Sequence, residues 1–313
     1  MPKPDFKTRN LKYLLGIADK VADGGPTNEY GAHTLVKLIA LASYSYQFCN
    51  IVNGEKTRAR GYDGSVYVDL FAGPGLVKIT GKPDLVAGSP IAADSGGRFD
   101  LAVLVEKQKK KAEALRQRMG MLLSTEKFEV IEGDCNEKVE EVAALISKRF
   151  SKPIILAFVD PEGLDINIKT LDVLSKRFPS VDFVVNVTEG MGRVQSTIKD
   201  GETRNKPKFE RFVGDALSSL FLNDINPARQ SAAYKELVLP TLGRPLSSTI
   251  PVYFRGDHLL YTLIFCTRQS ETGSPWVKIW DYIAKQLRGC EEATMENLLD
   301  AVTGRTETLD SYS

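Results

Sequence analysis

"SVYVDLFAGPGLVKITG", residues 65 to 81, sets an apolar run ending in a carboxylate against two closely spaced glycines. Val66, Tyr67, Val68 and Leu70 favour a strand, and the glycines that follow punctuate it, so the stretch reads as a strand entering a tight loop. Gly73 and Gly75 carry no Cβ, which lets the backbone turn sharply and approach a ligand, while Pro74 fixes the φ between them. Asp69 is the unusual member. A carboxylate at the end of an apolar strand needs a hydrogen-bonding or charged partner, and it repels phosphate while attracting an ammonium group.

Outward from this loop, the chain after residue 60 alternates two periods. "VYVDLF", "LAVLVE", "FEVIEGD", "IILAFVD" and "VDFVVNV" are expected strands, and "SPIAADSGG", "KKKAEALRQRMGMLLS", "NEKVEEVAALISKRF" and "NIKTLDVLSKRF" are expected helices. Strand alternating with helix predicts the α/β class: a doubly wound, mostly parallel sheet covered on both faces. Near the C-terminus, "IPVYFR", "GDH" and "LLYTLIFCTR" read instead as two strands and a tight turn, an antiparallel hairpin at the sheet edge. The helix "SPWVKIWDYIAKQLRG" follows, with Ser274 as N-cap and Pro275 in its first turn. Trp276 and Trp280, four apart, are expected to pack on the sheet.

The expected organisation is an N-terminal helical segment over 1–60, a core over 61–290, and a C-terminal helix and tail over 291–313. An insertion at about 190–240 separates the fifth and sixth strands. It contains "GRVQSTIKDGETRNKPKFER", read as a polar loop in which Arg193, Lys199, Arg204, Lys206, Lys208 and Arg211 outnumber the acids. Such a surplus suits either a solvated surface or contact with a nucleic-acid backbone.

Composition excludes some classes and leaves others open. Lys and Arg total 41 against 40 Asp and Glu, so overall charge does not point to a polyanionic partner. The start shows no signal core and no apolar run is read as long enough to cross a bilayer, so a cytoplasmic setting is expected. Cys49, Cys135, Cys266 and Cys290 lie far apart with no Cys-x-x-Cys pair, and His33 and His258 are the only histidines. Neither a metal site nor a disulfide framework is expected. His33 reads as a helix-start or partner-contact residue, and His258 as a turn or surface residue.

The ligand of the loop follows from sign and spacing. A dinucleotide fingerprint needs Gly-x-Gly-x-x-Gly opening directly into a helix whose N-terminus receives pyrophosphate. Here Lys78 stands at the third glycine position and the next helix signal, Ser89-Pro90, comes later. S-adenosylmethionine has no phosphate; it offers a sulfonium, an ammonium, a ribose diol and an adenine amine, all suited to carboxylates and carbonyls. Glu106 at the second strand tip is placed to accept the ribose hydroxyls, and Asp134 at the third to accept the adenine amine or to cap a helix. Cys135 borders that position. The fourth strand tip, "AFVDPEGLD", sets Asp160 and Glu162 beside the methyl position, where one can orient or deprotonate a nucleophile; an ordinary turn through Pro161 and Gly163 is the alternative. Glu189, after the fifth strand, reads equally as cleft or surface.

At these residues the chain resembles a known family. "VYVDLFAGPG", "GSPIAA", "FVDPEGL" and "HLLYTLIFCTR…WVKIW" occur in the order seen in the three-Cys-motif partner (TcmP) proteins, over roughly residues 30 to 285, and more broadly the core resembles class I S-adenosylmethionine-dependent methyltransferases. The resemblance implies a seven-stranded sheet with an antiparallel seventh strand. It also implies a cofactor loop of Asp69, Phe71, Ala72, Gly73, Pro74 and Gly75, with Glu106 on the ribose and Asp134 on the adenine. It further implies a partner protein bearing a three-cysteine motif, of radical-S-adenosylmethionine-like type.

One departure bears on mechanism. Nucleic-acid amino-methyltransferases carry Asp/Asn-Pro-Pro-aromatic at the fourth tip, and here Glu162 and Gly163 replace the second proline and the aromatic. Phe71 or Phe158 would have to supply the lost ring, although apolar strand aromatics are more often core. The expected function is methyl transfer to a nucleic acid, RNA included. The alternative is an adaptor that binds the cofactor and a partner with little or no turnover.

Overall fold

Strands and helices alternate as the two periods predict. The computed structural model describes residues 5–254, 258–269 and 274–305. In chain order the elements are α1 (Phe6–Val21), β1 (Asn28–Tyr30), α2 (Thr34–Val52), α3 (Glu55–Arg58), β2 (Gly64–Asp69), β3 (Leu76–Ile79), β4 (Leu85–Ala87) and α4 (Ser89–Asp94). There follow β5 (Leu101–Glu106), α5 (Lys109–Leu122), β6 (Phe128–Glu132), α6 (Cys135–Arg149), β7 (Pro153–Val159), α7 (Ile168–Arg177) and β8 (Val181–Thr188). The chain continues through α8 (Gly190–Lys199), α9 (Lys206–Val213), α10 (Asp215–Asn223), α11 (Gln230–Ala233), β9 (Leu246–Tyr253), β10 (Leu259–Thr267), α12 (Pro275–Leu287) and α13 (Glu292–Thr303).

The main sheet has seven strands in the order β6-β5-β2-β7-β8-β10-β9. All neighbours are parallel except β10, which runs antiparallel to both β8 and β9. The chain steps outward from β2 to β5 and β6, then returns to β7 on the other side. That reversal opens a crevice at the carboxyl ends of β2 and β7.

Period-two alternation sends the strand side chains into two cores. Tyr67, Ala102, Leu104, Leu156, Phe158, Val184, Leu263 and Phe265 enter one, with α1, α2, α5 and α12. Val66, Val68, Val103, Ile155, Ala157, Phe183, Val185 and Ile264 enter the other, with α6, α7 and the insertion. Helices on both faces explain why β2, β5 and β7 are buried along their whole length. Trp280 is fully buried and stacks on Phe265 at 5.5 Å, while Trp276 lies 5.3 Å from Phe48 of α2. Pro275 opens α12 behind Ser274, whose hydroxyl makes no capping bond.

Several expectations need correcting. The N-terminal helices are joined by β1, and "GLVKITGKPDLVAG" forms β3 and β4; together these make a second sheet, β1-β3-β4, with β1 parallel to β3. Three- and four-residue strands carry too little alternation to register as a period. The insertion is helical, not a polar loop: Phe209, Phe212 and Phe221 are fully buried, though its charged residues stay outside. α2 spans 19 residues and is apolar enough to cross a bilayer, against the expectation, yet 67 % of its apolar window is buried within the fold, as in a core helix. The strands β6 and β7 stop at Glu132 and Val159, short of Asp134 and Asp160. Of the "GDH" turn, only His258 lies among the described residues.

Candidate cofactor and acceptor site

The loop after β2 is built from backbone. Leu70 donates its N–H to the Phe158 carbonyl at 3.1 Å and Ala72 donates to Val105 at 2.9 Å, which moors both ends of the turn to neighbouring strands. Gly73 and Gly75 adopt φ +61° and +83°, in the left-handed region that side chains disfavour. A Cβ on Gly75 would also sit 3.0 Å from Ile91 Cδ1 and from Leu115 Cδ1, so the loop is pressed onto α4 and α5. The Gly75 carbonyl accepts from Gly88 N–H at 2.8 Å. The β3–β4 hairpin thus leaves and returns to the loop before α4 begins, and the helix-opening arrangement of a dinucleotide fingerprint is not formed.

Beneath the loop lies an arginine that sequence reasoning did not single out. Arg118 is fully buried, pairs with Asp23, and donates through Nη1 to the carbonyls of Pro26 at 2.8 Å and Pro74 at 2.7 Å. Its guanidinium holds the Asp23 carboxyl below the usual range. The central residue of the loop is therefore tied to the N-terminal segment through one fork of donors.

A cavity of about 480 Å³ opens above the loop, within the size of small-ligand sites. Phe71, Ala72, Gly73, Pro74, Gly75, Glu106, Asp134, Cys135, Asp160 and Glu162 line it. Asp69 does not: it is fully buried, accepting from the Tyr67 hydroxyl at 2.9 Å and from Phe71 N–H at 3.1 Å. Burial pushes its carboxyl up to about 7, against the lowering effect of the Ser89 and Tyr67 hydroxyls. In this arrangement Asp69 shapes the loop from below, and its carboxylate is not offered to a ligand as the sequence reading had it.

Glu106 is 8 % exposed. Its Oε2 accepts from Gly73 N–H at 2.9 Å and its Oε1 from Gln108 N–H at 2.7 Å. Each carboxylate oxygen keeps a second acceptor site, so the pair is fixed by backbone with capacity to spare. Asp134 is a helix cap that also faces the cavity. It caps α6 by accepting from Asn136 N–H at 2.9 Å, and it lines the cavity. Burial raises its carboxyl, but Lys107 at 2.9 Å and Asn136 together bring it below the usual range. Cys135 is buried and its thiol is pushed up to about 12, which keeps it neutral and argues against a nucleophilic role.

The far end of the cavity is built from side chains. Asp160 Oδ2 accepts from Lys37 Nζ at 2.6 Å and Oδ1 from Asn186 Nδ2 at 2.6 Å. Lys37 comes from α2 and lies 5.2 Å from the Tyr30 ring centroid and 5.8 Å from that of Tyr261. Tyr261 in turn donates its hydroxyl to the His33 carbonyl at 2.8 Å, and His33 Nδ1 is 3.3 Å from Glu292. His33 is thus a packing contact near the start of α2, with burial the main cause of its lowered pKa. Gly163, at φ +72°, makes the "DPEG" turn, and Glu162 points to solvent at the cavity edge. Glu189 is half-buried at the start of α8, outside the lining.

Of the insertion's cations, Lys208 and Arg211 stand in the cavity lining, Lys208 paired with Asp165. Asn28, Tyr30 and Lys37, all from before residue 40, are lining residues that sequence reasoning missed. An amide, a single ring and a lysine near the N-terminus carry no local motif, and the partner of Lys37 lies 123 residues away.

No family model matches the sequence, and no curated protein matches it. Among solved structures, an O-methyltransferase from Bacillus cereus in complex with SAH is similar at 11 % identity over 86 % of this chain and 93 % of its own, with a TM-score of 0.40. A Legionella pneumophila protein is similar at 12 % identity over 78 % and 89 %, with a TM-score of 0.42. A cofactor-bound protein from MTB shows 15 % identity over 84 % and 91 %, with a TM-score of 0.39. The strand order itself carries the fold assignment. A seven-stranded sheet with its last strand inserted antiparallel between β8 and β9 is the Rossmann-like arrangement of class I S-adenosylmethionine-dependent methyltransferases.

Proposed function

We propose that the protein is an S-adenosylmethionine-dependent methyltransferase acting on nucleic acid, RNA included. The observation that carries this reading is the cradle of bare backbone and carboxylate at the β2 and β5 tips, where Gly73 and Glu106 are joined by a 2.9 Å hydrogen bond. The donor set fits a cationic, phosphate-free ligand. Glu106 has acceptor capacity for a ribose diol and Asp134 for an adenine amine, and Gly73 and Gly75 line the cavity with backbone alone.

When bound, S-adenosylmethionine would supply an electrophilic methyl carbon to the acceptor lone pair and would leave as a neutral thioether, the electrons of the C–S bond staying on sulfur. Asp160 accepts a hydrogen bond from the acceptor N–H or O–H on a lone pair that Lys37 and Asn186 leave free, takes the released proton and passes it to water. Glu162, exposed at the edge, assists at the same turn. Lys208 and Arg211 hold phosphate at the rim. The resemblance to three-Cys-motif partner proteins adds a partner of radical-S-adenosylmethionine-like type to the same proposal, which also takes the setting to be cytoplasmic.

A second reading draws on one observation. Both Asp160 oxygens already hold short bonds, one to an ammonium, as expected of a cofactor-binding adaptor with little turnover. Calorimetry of the full chain with S-adenosylmethionine, paired with radiolabelled methyl transfer to bulk RNA and DNA, separates the two. Methyl transfer that Asp160→Ala abolishes, with cofactor affinity intact, is the expected result. Affinity without transfer leaves the adaptor, and no affinity removes both.

A further inference from the structure

The "DPEG" turn has no ring with which to hold a flat acceptor, and the fold supplies one from elsewhere. Gly163 has no side chain and Glu162 is solvent-exposed. Phe158 is 0 % exposed in the core beneath the sheet, which removes it from consideration. Phe71 reaches the cavity but packs against the core on the side of α6 and α7. Tyr30 is half-buried, packs on the other core, and lines the cavity 5.2 Å from the ammonium that binds Asp160. Burial first, then the carboxylates of Asp160, Glu162 and Glu106, raise its hydroxyl pKa, so the phenol stays neutral.

The ring is held in register with the loop by main chain. Tyr30 pairs with Ile79 in the parallel β1–β3 ladder, and its carbonyl accepts from Thr80 N–H at 2.9 Å. β3 begins at Leu76, the residue after Gly75. Tyr30 and the loop therefore belong to one hydrogen-bonded unit and line the same cavity, with the ring beside the ammonium that binds Asp160. Lys37 also lies near the Tyr261 ring, which gives this corner of the cavity a cation between two aromatic faces.

We propose that Tyr30 is the acceptor-stacking residue, and that the acceptor is consequently a planar nucleobase. The inference rests on the methyltransferase reading and narrows it to a flat, ring-bearing acceptor. Stacking one base on an aromatic ring changes affinity by about 5- to 150-fold.

The test uses the full chain and two sets of single-stranded 12-mers, RNA and DNA, each with a central 2-aminopurine or a central abasic site. Wild-type protein quenches 2-aminopurine fluorescence and binds the base-bearing strands more tightly than the abasic ones. Tyr30→Phe keeps both properties. Tyr30→Leu loses the quenching and about 5- to 150-fold of affinity for base-bearing strands, while its affinity for abasic strands and, by calorimetry, for S-adenosylmethionine stays unchanged. The relative strength of the RNA and DNA arms identifies the source of the base. Equal quenching by wild type and Tyr30→Leu, or equal wild-type affinity for base-bearing and abasic strands, overturns the proposal. A wild-type chain that binds S-adenosylmethionine but does not discriminate bases defeats this inference alone, whereas a chain that does not bind the cofactor defeats the reading beneath it.

Discussion

The two ends of the cavity are held by different means. At the cofactor end, backbone N–H groups of Gly73 and Gln108 fix Glu106, and strand-to-strand bonds fix the loop, so identity matters at few positions. At the acceptor end, Lys37 and Asn186 reach Asp160 from two distant parts of the chain, and Tyr30 lies beside Lys37. Backbone cradles tolerate side-chain change and fail when a Cβ intrudes. Side-chain clusters do the reverse, which makes the second region the one able to change acceptor without disturbing the first.

That contrast can be broken most forcefully at Arg118, which serves the cofactor end by a side chain. Arg118→Leu leaves Asp23 and the Pro74 carbonyl without their buried partner and is expected to lower stability by about 3–5 kcal/mol, measured by urea unfolding. A loss below 1 kcal/mol would mean the loop holds itself. Next in size is Lys37→Met. Removing one charged hydrogen bond from Asp160 is expected to lower methyl transfer about 10- to 100-fold, with cofactor affinity by calorimetry unchanged. Loss of both together would erase the distinction between the ends. Gly75→Ala should do the opposite, weakening S-adenosylmethionine about tenfold through left-handed strain and contact with Ile91, while leaving the fold intact by circular dichroism.

The smallest effect concerns pH. Burial pushes Asp69, Asp94 and Asp182 each to about 7. The folded chain holds these protons up to near pH 7, whereas an unfolded carboxyl releases its own near the ordinary 3.8. The stability from protonation is full below about 4 and is lost as pH rises to 7, at no more than about 1.4 kcal/mol per pH unit for each group. Asp182→Asn, at a buried site whose Oδ2 has no partner, should flatten that slope in unfolding titrations without touching the cavity. Asp69→Asn should flatten it too, and if its role is to shape the loop from below, cofactor affinity changes by less than about threefold; a larger drop would restore Asp69 as a direct ligand of the cofactor.

The same contrast governs what can be read from the chain. The central strands, the loop, and the carboxylates at 106, 134 and 160 are local features, each declared by a period or a motif within ten residues. Asp69 was misplaced because alternation along β2 puts its side chain with Tyr67, under the sheet edge, and the loop motif does not reveal which side the last strand residue takes. Tyr30 and Lys37 were missed because nothing near residue 30 forecasts a partner at Asp160. The insertion was read as a loop because Phe209 and Phe212 sit among charges, and their i, i+3 spacing shows only once a helix buries them.

α2 has a consequence for synthesis. Tyr44 packs at 5.0 Å from Phe265 and 5.4 Å from Trp280, so this face of the apolar helix leaves the ribosome more than 200 residues ahead of those two partners. At ordinary translation rates it waits about 10–45 s for them. During that interval the nascent chain exposes the one segment among the described residues that is apolar enough to be mistaken for a membrane span, and cells short of chaperone capacity are where this protein is expected to misfold first.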